Sequence, residues 1–107
     1  MTGTKAILRR PSTDTRYGFV VRHIAFYQPV DNPTQATESE LKPLYALIIL
    51  NVEVGSVADG AGLQAGHRIV EMNGHLVRHL TYDDVCRISE RLQNDNVFTG
   101  HVADKIS

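Results

Sequence analysis

Apolar residues come in short blocks along this chain, separated by Pro, Gly, Asn and Asp, and most blocks are rich in β-branched or aromatic residues. Lys5 to Arg9 (KAILR) predicts a short strand. Pro11 to Arg16 is a polar loop of Pro, Ser, Thr and Asp. Tyr17 to Tyr27 (YGFVVRHIAFY) predicts a long strand. Gln28 to Lys42 carries Pro29, Pro33 and a Thr/Gln/Glu/Ser tract, and reads as a surface excursion. Leu44 to Val54 (LYALIILNVEV) is strongly apolar and predicts a second long strand, or two joined at a bend, broken by Gly55 and Ser56. Val57 to Leu63 predicts a short helix, and Gln64-Ala65-Gly66 a turn. Arg68 to Met72 predicts a strand, Asn73-Gly74 a tight hairpin and His75 to Val77 a short return strand.

Helical spacing is clearest between Thr81 and Leu92. Val85, Ile88 and Leu92 fall at i, i+3 and i+7 on one stripe. Thr81 is placed to cap the helix, with Asp83 and Asp84 in its first turn and Arg87 and Arg91 toward its end. Thr81 and Asp84 also have capping-box spacing. Val97 to Ala103 predicts a closing strand. Five to six short strands and two helices, with no internal repeat, predict a mainly β (α+β) fold. The expected form is a partly open barrel or sandwich capped by a short and a longer helix. One domain is expected over 1–107, with its core at about 5–103 and a surface insertion at about 28–42.

Composition narrows the function classes. The chain has 107 residues, 42% of them hydrophobic, which suits one globular domain and leaves no room for a second. The formal net charge is −1, which gives no field suited to nucleic acid. Cys86 is the one cysteine, so no internal disulfide can form. No apolar run reaches the roughly 18 residues of a membrane helix. A soluble, cytoplasmic domain is expected.

Four motifs stand in a telling order: Arg16-Tyr17-Gly18-Phe19 at the head of a strand; Gly55-Ser56-Val57-Ala58 with Ala61-Gly62-Leu63; Gly66-His67-Arg68-Ile69-Val70-Glu71-Met72-Asn73-Gly74; and Thr81-Tyr82-Asp83-Asp84-Val85 opening the helix. Together they resemble the PDZ domain family, from about Lys5 to Ala103. Tyr17-Gly18-Phe19 with Arg22-His23 and Tyr27-Gln28-Pro29, followed by an insertion, is most similar to the PDZ domain of certain Rho GTPase-activating proteins. Independently of that likeness, a turn through Gly18 can aim successive backbone N–H groups at one point, and such nests hold anions.

The resemblance implies a non-enzymatic interaction module with no cofactor and no metal. It would bind the C-terminal tail of a membrane or signalling protein by strand addition, in a scaffold or targeting role. The amides of Tyr17, Gly18 and Phe19 would receive the carboxylate. Val20, Val21, Arg22, Tyr82, Val85, Cys86 and Ser89 would line the peptide groove, and a hydrophobic last ligand residue is expected. Three positions depart from the family pattern. Ser89 stands where Leu or Ile is usual, leaving a wider or more polar floor or one that Leu92 fills. Tyr82 stands where many relatives carry His, which suggests Asp, Glu or an apolar residue two places before the ligand's end. His67 replaces Asp in the Gly-Asp pair. A monomer is expected, at the inner face of the plasma membrane through its partners. Membrane contact of its own would be weak and peripheral at most. The alternative is a PDZ-like module that binds internal motifs, self-associates or contacts phosphoinositide headgroups.

Other chemistry is poorly supported. Cys86 has no histidine on its own helix to activate it and reads as a small packing residue. His75 and His79 have i, i+4 spacing but follow a turn and lack a third ligand. Gly60 to Ala65 fits a dinucleotide fingerprint only formally, since Gly66 cuts off the helix it would need. Ser56 and Ser89 have no positioned base. Arg9, Arg10, Arg16 and Arg22 tint the first third basic and read as solvated side chains, one of them a candidate to help hold a carboxylate through water.

Overall fold

The computed structural model describes residues 4–27, 29, 32, 34, 35, 37 and 41–103. Most positions of the expected insertion at Gln28 to Lys42 lie outside the described residues. The elements run β1 (Thr4–Arg9), β2 (Phe19–Phe26), β3 (Leu44–Val52), α1 (Val57–Gly60), β4 (Arg68–Met72) and β5 (His75–Leu76). A 3₁₀ turn (Val77–His79), α2 (Tyr82–Leu92) and β6 (Val97–Ala103) complete them.

The strands form one antiparallel sheet in the order β1-β6-β4-β3-β2, with β5 paired to β4. β2 therefore stands at the sheet's edge. It pairs with β3 from Phe19↔Val52 to Phe26↔Leu44, with a bulge after Val20. There the register passes from Asn51 to Ile49, so Leu50 is the extra residue and is left exposed. The bend expected in this long apolar strand is this bulge within one continuous strand.

Apolar side chains from every layer meet in one core. Leu8 of β1, Leu47 and Ile49 of β3, Ile69 and Met72 of β4, Phe98 and Val102 of β6 and Val85 of α2 are all buried in it. Phe98 lies at its centre, with the rings of Tyr17 and Phe19 tilted against it at 6.2 and 5.8 Å. Ile88 and Leu92 pack on the same cluster, as the helical spacing predicted.

Element ends follow from backbone chemistry. β2 begins at Phe19 rather than Tyr17 because Gly18 takes φ +91°, outside the extended region. α1 is one turn, shorter than expected, since its C-terminal side runs into Gly62 at φ +87°. Val77 was expected in a strand and instead opens the 3₁₀ turn, where its side chain is buried.

α2 begins with a complete capping box. The Thr81 hydroxyl accepts from the Asp84 N–H, and the Asp84 carboxylate accepts from the Thr81 N–H. Arg87 also bonds Asp84, and these donors, Arg87 first, hold its carboxyl below the usual range. The box is thus intact above the ordinary carboxylate pKa and weakens as pH falls through the lowered one. Thr81→Ala should cost about 1 kcal/mol of stability, seen as a lower urea midpoint at unchanged m-value; an unchanged midpoint would mean that the cap contributes nothing.

Candidate functional site

The loop before β2 is folded inward by its carbonyls. Ala58 N–H donates to Tyr17 O at 2.9 Å and Glu53 N–H to Gly18 O at 2.8 Å. Gly18 also passes close to α1: a Cβ on it would lie 2.2 Å from the Ser56 Cβ. Only glycine fits, on both conformation and space. With the carbonyls turned in, no described group accepts from the N–H of Tyr17 or Gly18. The Glu53 to Gly18 bond makes Phe19 and Val52 a non-hydrogen-bonded pair, so the Phe19 N–H points away from β3, off the sheet edge.

α2 lies alongside this edge and antiparallel to β2. Its C-terminal end adjoins the loop, where Ser89, Leu92 and Gln93 join Tyr17, Gly18, Phe19, Val20 and Val21 around a recess of about 330 Å³. Arg10, Arg16 and Glu53 complete the rim. Arg16 and Glu53 meet at 3.5 Å on the surface, a pair of small energetic weight.

Arg10 is different. The expectation of a solvated side chain is corrected: it is buried, the only buried charged residue among those described. Its guanidinium makes five hydrogen bonds to four carbonyls, those of Thr15, Leu92, Gln93 and Asp95, at 2.7 to 3.1 Å. It also lies over the Tyr17 ring, 4.4 Å from the centroid. The Tyr17 hydroxyl donates to the same Asp95 carbonyl at 3.0 Å, and partial burial raises its pKa despite the opposing pull of Arg10. No carboxylate neutralises Arg10 among these contacts. It answers the negative pole at the C-terminus of α2, which would otherwise oppose an anion in the recess.

At the other end of the slot, His23 of β2 bridges to the start of α2. Its Nε2 lies 2.9 Å from the Leu80 carbonyl. Its ring stacks on Tyr45 at 4.8 Å and meets Tyr82 at 6.0 Å, tilted by 58°. Tyr82 itself is largely exposed. A hydrogen bond to Cys86, one helical turn on, is the main cause of its raised pKa. Among the described residues, no three of His, Cys, Asp or Glu are placed to hold a metal ion.

The model of the PDZ domain matches residues 48–96. The chain superimposes on the PDZ domain of human microtubule-associated serine-threonine kinase 4 with a TM-score of 0.68 and 26% identity, covering 97% of this chain and 95% of that one. It is a PDZ domain. It is also similar to Rho GTPase-activating protein 23 of Mus musculus, 29% identical over 97 residues that cover 78% of this chain and 6% of that protein. Rho GTPase-activating protein 21-A of Xenopus laevis is likewise 29% identical, over 98 residues, 78% of this chain and 5% of that protein. The chain thus spans a small fraction of the length of these relatives. The first PDZ domain of dmPar3, solved in complex with the dmPar6 PBM, shares the fold at a TM-score of 0.69 and 20% identity, covering 94% of this chain and 93% of that one. As a PDZ domain, the chain is a protein–protein interaction module of a non-enzymatic family.

Within this PDZ domain the residues singled out from sequence divide into three groups. Tyr17, Gly18, Phe19, Val20, Val21 and Ser89 come together around the recess. Tyr82 stands at the far end of the slot, where its ring meets that of His23, with Cys86 one helical turn on. Val85 is buried in the core, and Arg22 is exposed on the strand. Leu92 lines the recess. Arg10 and His23 were not marked as site residues. An arginine after a strand and before a proline has no periodic signature, and the carbonyls that Arg10 binds lie up to 85 positions away.

Removing the Arg10 guanidinium strands carbonyls that have no other partner of equal strength. Arg10→Met should therefore destabilise the domain by roughly 3 kcal/mol. Arg10→Lys should recover less than half of that, since an ammonium cannot span four carbonyls. Full recovery by lysine in chemical denaturation would show that charge, and not the fork, is what counts.

Proposed function

We propose that this PDZ domain binds the C-terminal tail of a partner protein, which adds as an antiparallel strand to the open edge of β2 with its carboxylate at the Tyr17, Gly18 and Phe19 amides. One observation supports the reading: these three N–H groups have no partner among the described residues and lie beside a recess whose rim holds Arg10 and Arg16. A carboxylate is the small anion that a chain end always provides, and charge-assisted bonds to it contribute roughly 1.5–3 kcal/mol each.

The last ligand side chain would enter the recess, between Phe19 and Val21 on one side and Ser89 and Leu92 on the other. Apolar walls favour a hydrophobic residue there. Two solved neighbours lend support by analogy: the dmPar3 domain was captured with the dmPar6 PBM, and the third PDZ domain of INAD with a TRP channel tail. The INAD domain is 18% identical at a TM-score of 0.62, covering 95% of this chain and 86% of that one. A scaffold or targeting role in the cytoplasm, next to a membrane or signalling partner, is the context this reading suggests.

The test is direct. A library of decapeptides with free C-termini is screened, and the best binder is titrated beside its C-terminal amide. The free acid should bind with a Kd on the order of micromolar, roughly −8 kcal/mol, and the amide at least tenfold more weakly. Equal affinities would overturn the proposal.

A further inference from the structure

A second hollow lies between the far end of the β2–β3 pair and the segment that runs from β5 into the 3₁₀ turn. Its volume is about 450 Å³, larger than that of the recess, and the two share no residue. Phe26 and Leu44 stand opposite each other where β2 and β3 begin their pairing at this end, and Ala46 follows two places on. By strand alternation these three face away from Leu47 and Ile49, which belong to the core. Ala46 is buried yet stands outside the core cluster, so it is the floor of a walled depression. Leu76 of β5, Arg78 of the 3₁₀ turn and His101 of β6 close the other side.

A bulge in β4 opens that strand toward the hollow. Ile69 and Met72 are three positions apart, yet both are buried in the core. The pairing with β6 slips between Ile69 and Glu71, so Val70 is the extra residue. Val70 and Glu71, in succession, are thus released from the core, and both line the hollow. Phe26 and Leu76, on opposite sides of it, leave much of their apolar surface exposed. The fixed charge of the lining is that of Arg68 and Arg78 against one carboxylate, Glu71, which leaves it positive. That carboxylate already lies 3.4 Å from His101 Nδ1 in the same wall. Arg78 is exposed and forms no ion pair among the described residues.

We propose that this hollow is a second docking site, for an internal segment of a partner protein in which an apolar side chain is flanked by carboxylates. The apolar residue enters among Phe26, Val70 and Leu76, and the carboxylates meet Arg78 and Arg68. Largely apolar hollows of roughly 300–1,000 Å³ with a few convergent polar groups are the usual form of a ligand site. A guanidinium holds a carboxylate through two parallel bonds, which sets position as well as charge. A lipid surface is the poorer occupant, because anionic membranes are held by clusters of about four to eight cations. Here two arginines share the lining with a glutamate. Neither the β2 edge nor a chain end takes part, so docking here and strand addition there stand or fall separately.

Three decapeptides, acetylated and amidated so that no free chain end is offered, carry Phe, Trp or Leu between two Glu residues at their centre. They are titrated into the ¹⁵N-labelled domain beside Glu-Ala-Glu and Lys-Phe-Lys versions. At least one should bind with a Kd below about 1 mM, moving the amides of Val70, Glu71, Leu76 and His101 and leaving that of Gly18 still. The Ala and Lys versions should bind about tenfold more weakly or worse, the worth of one buried apolar side chain or of the charge-assisted bonds. Leu76→Ser and Arg78→Glu change exposed side chains, and each should weaken binding about tenfold with the spectrum elsewhere unchanged. No movement of those four amides at millimolar peptide, equal binding of the Ala version, affinity that survives Arg78→Glu, or shifts confined to β2 and α2 would each overturn the proposal. Binding to phosphatidylcholine–phosphatidylserine vesicles that Arg78→Glu abolishes, while every peptide fails, would overturn it too and give the hollow to a membrane.

Discussion

Arg10 sets one guanidinium against carbonyls from Thr15 in the loop before β2, from Leu92 and Gln93 at the end of α2, and from Asp95 beyond it. Three parts of the chain that share no strand pairing are tied at that point. A buried cation without a carboxylate partner is costly to desolvate. Here the cost is offset by a full set of acceptors, several of them at the negative end of a helix. The same contact fixes the distance between the loop and α2, and so the mouth of the recess. The ring of Tyr17, held under the guanidinium and bonded to Asp95, cannot shift without disturbing the clamp.

Tyr17 and Phe19 serve two purposes at once. Their side chains close over Phe98 in the core, while their amides belong to the slot outside. The backbone between them must turn sharply for this, and Gly18 supplies the turn against the surface of Ser56. Packing energy inside thus presets the direction of N–H groups outside. An anion bound there, as proposed, would meet donors already aligned, so little ordering entropy would be spent on binding. The unpaired edge of β2 is hazardous in isolation; α2 alongside restricts it to a single slender strand.

Much of this was legible in the sequence because it is local. The Thr81 to Asp84 spacing and the Val85, Ile88, Leu92 stripe specify α2 almost to the residue. The Asn73-Gly74 turn and the Gly18 loop are equally local, since positive φ demands particular residues. What escaped notice is tertiary. Arg10 reads as an ordinary surface cation until the C-terminal end of α2 is placed over it. His23 reads as one more strand residue until Leu80 and Tyr82 arrive from nearly 60 positions away. Val77 was expected in the return strand after the Asn73-Gly74 hairpin, yet the 3₁₀ turn wins by burying that side chain.

The central proposal is that the amides of Tyr17, Gly18 and Phe19, which have no partner among the described residues, receive a chain-terminal carboxylate. Amide ¹H–¹⁵N spectra recorded through a titration with a free C-terminal peptide test it most directly. The account predicts that the Gly18 and Phe19 protons move strongly downfield and gain protection from exchange, together with the outward amides of β2. Shifts confined to other surfaces, with those two amides unmoved at saturation, would contradict it.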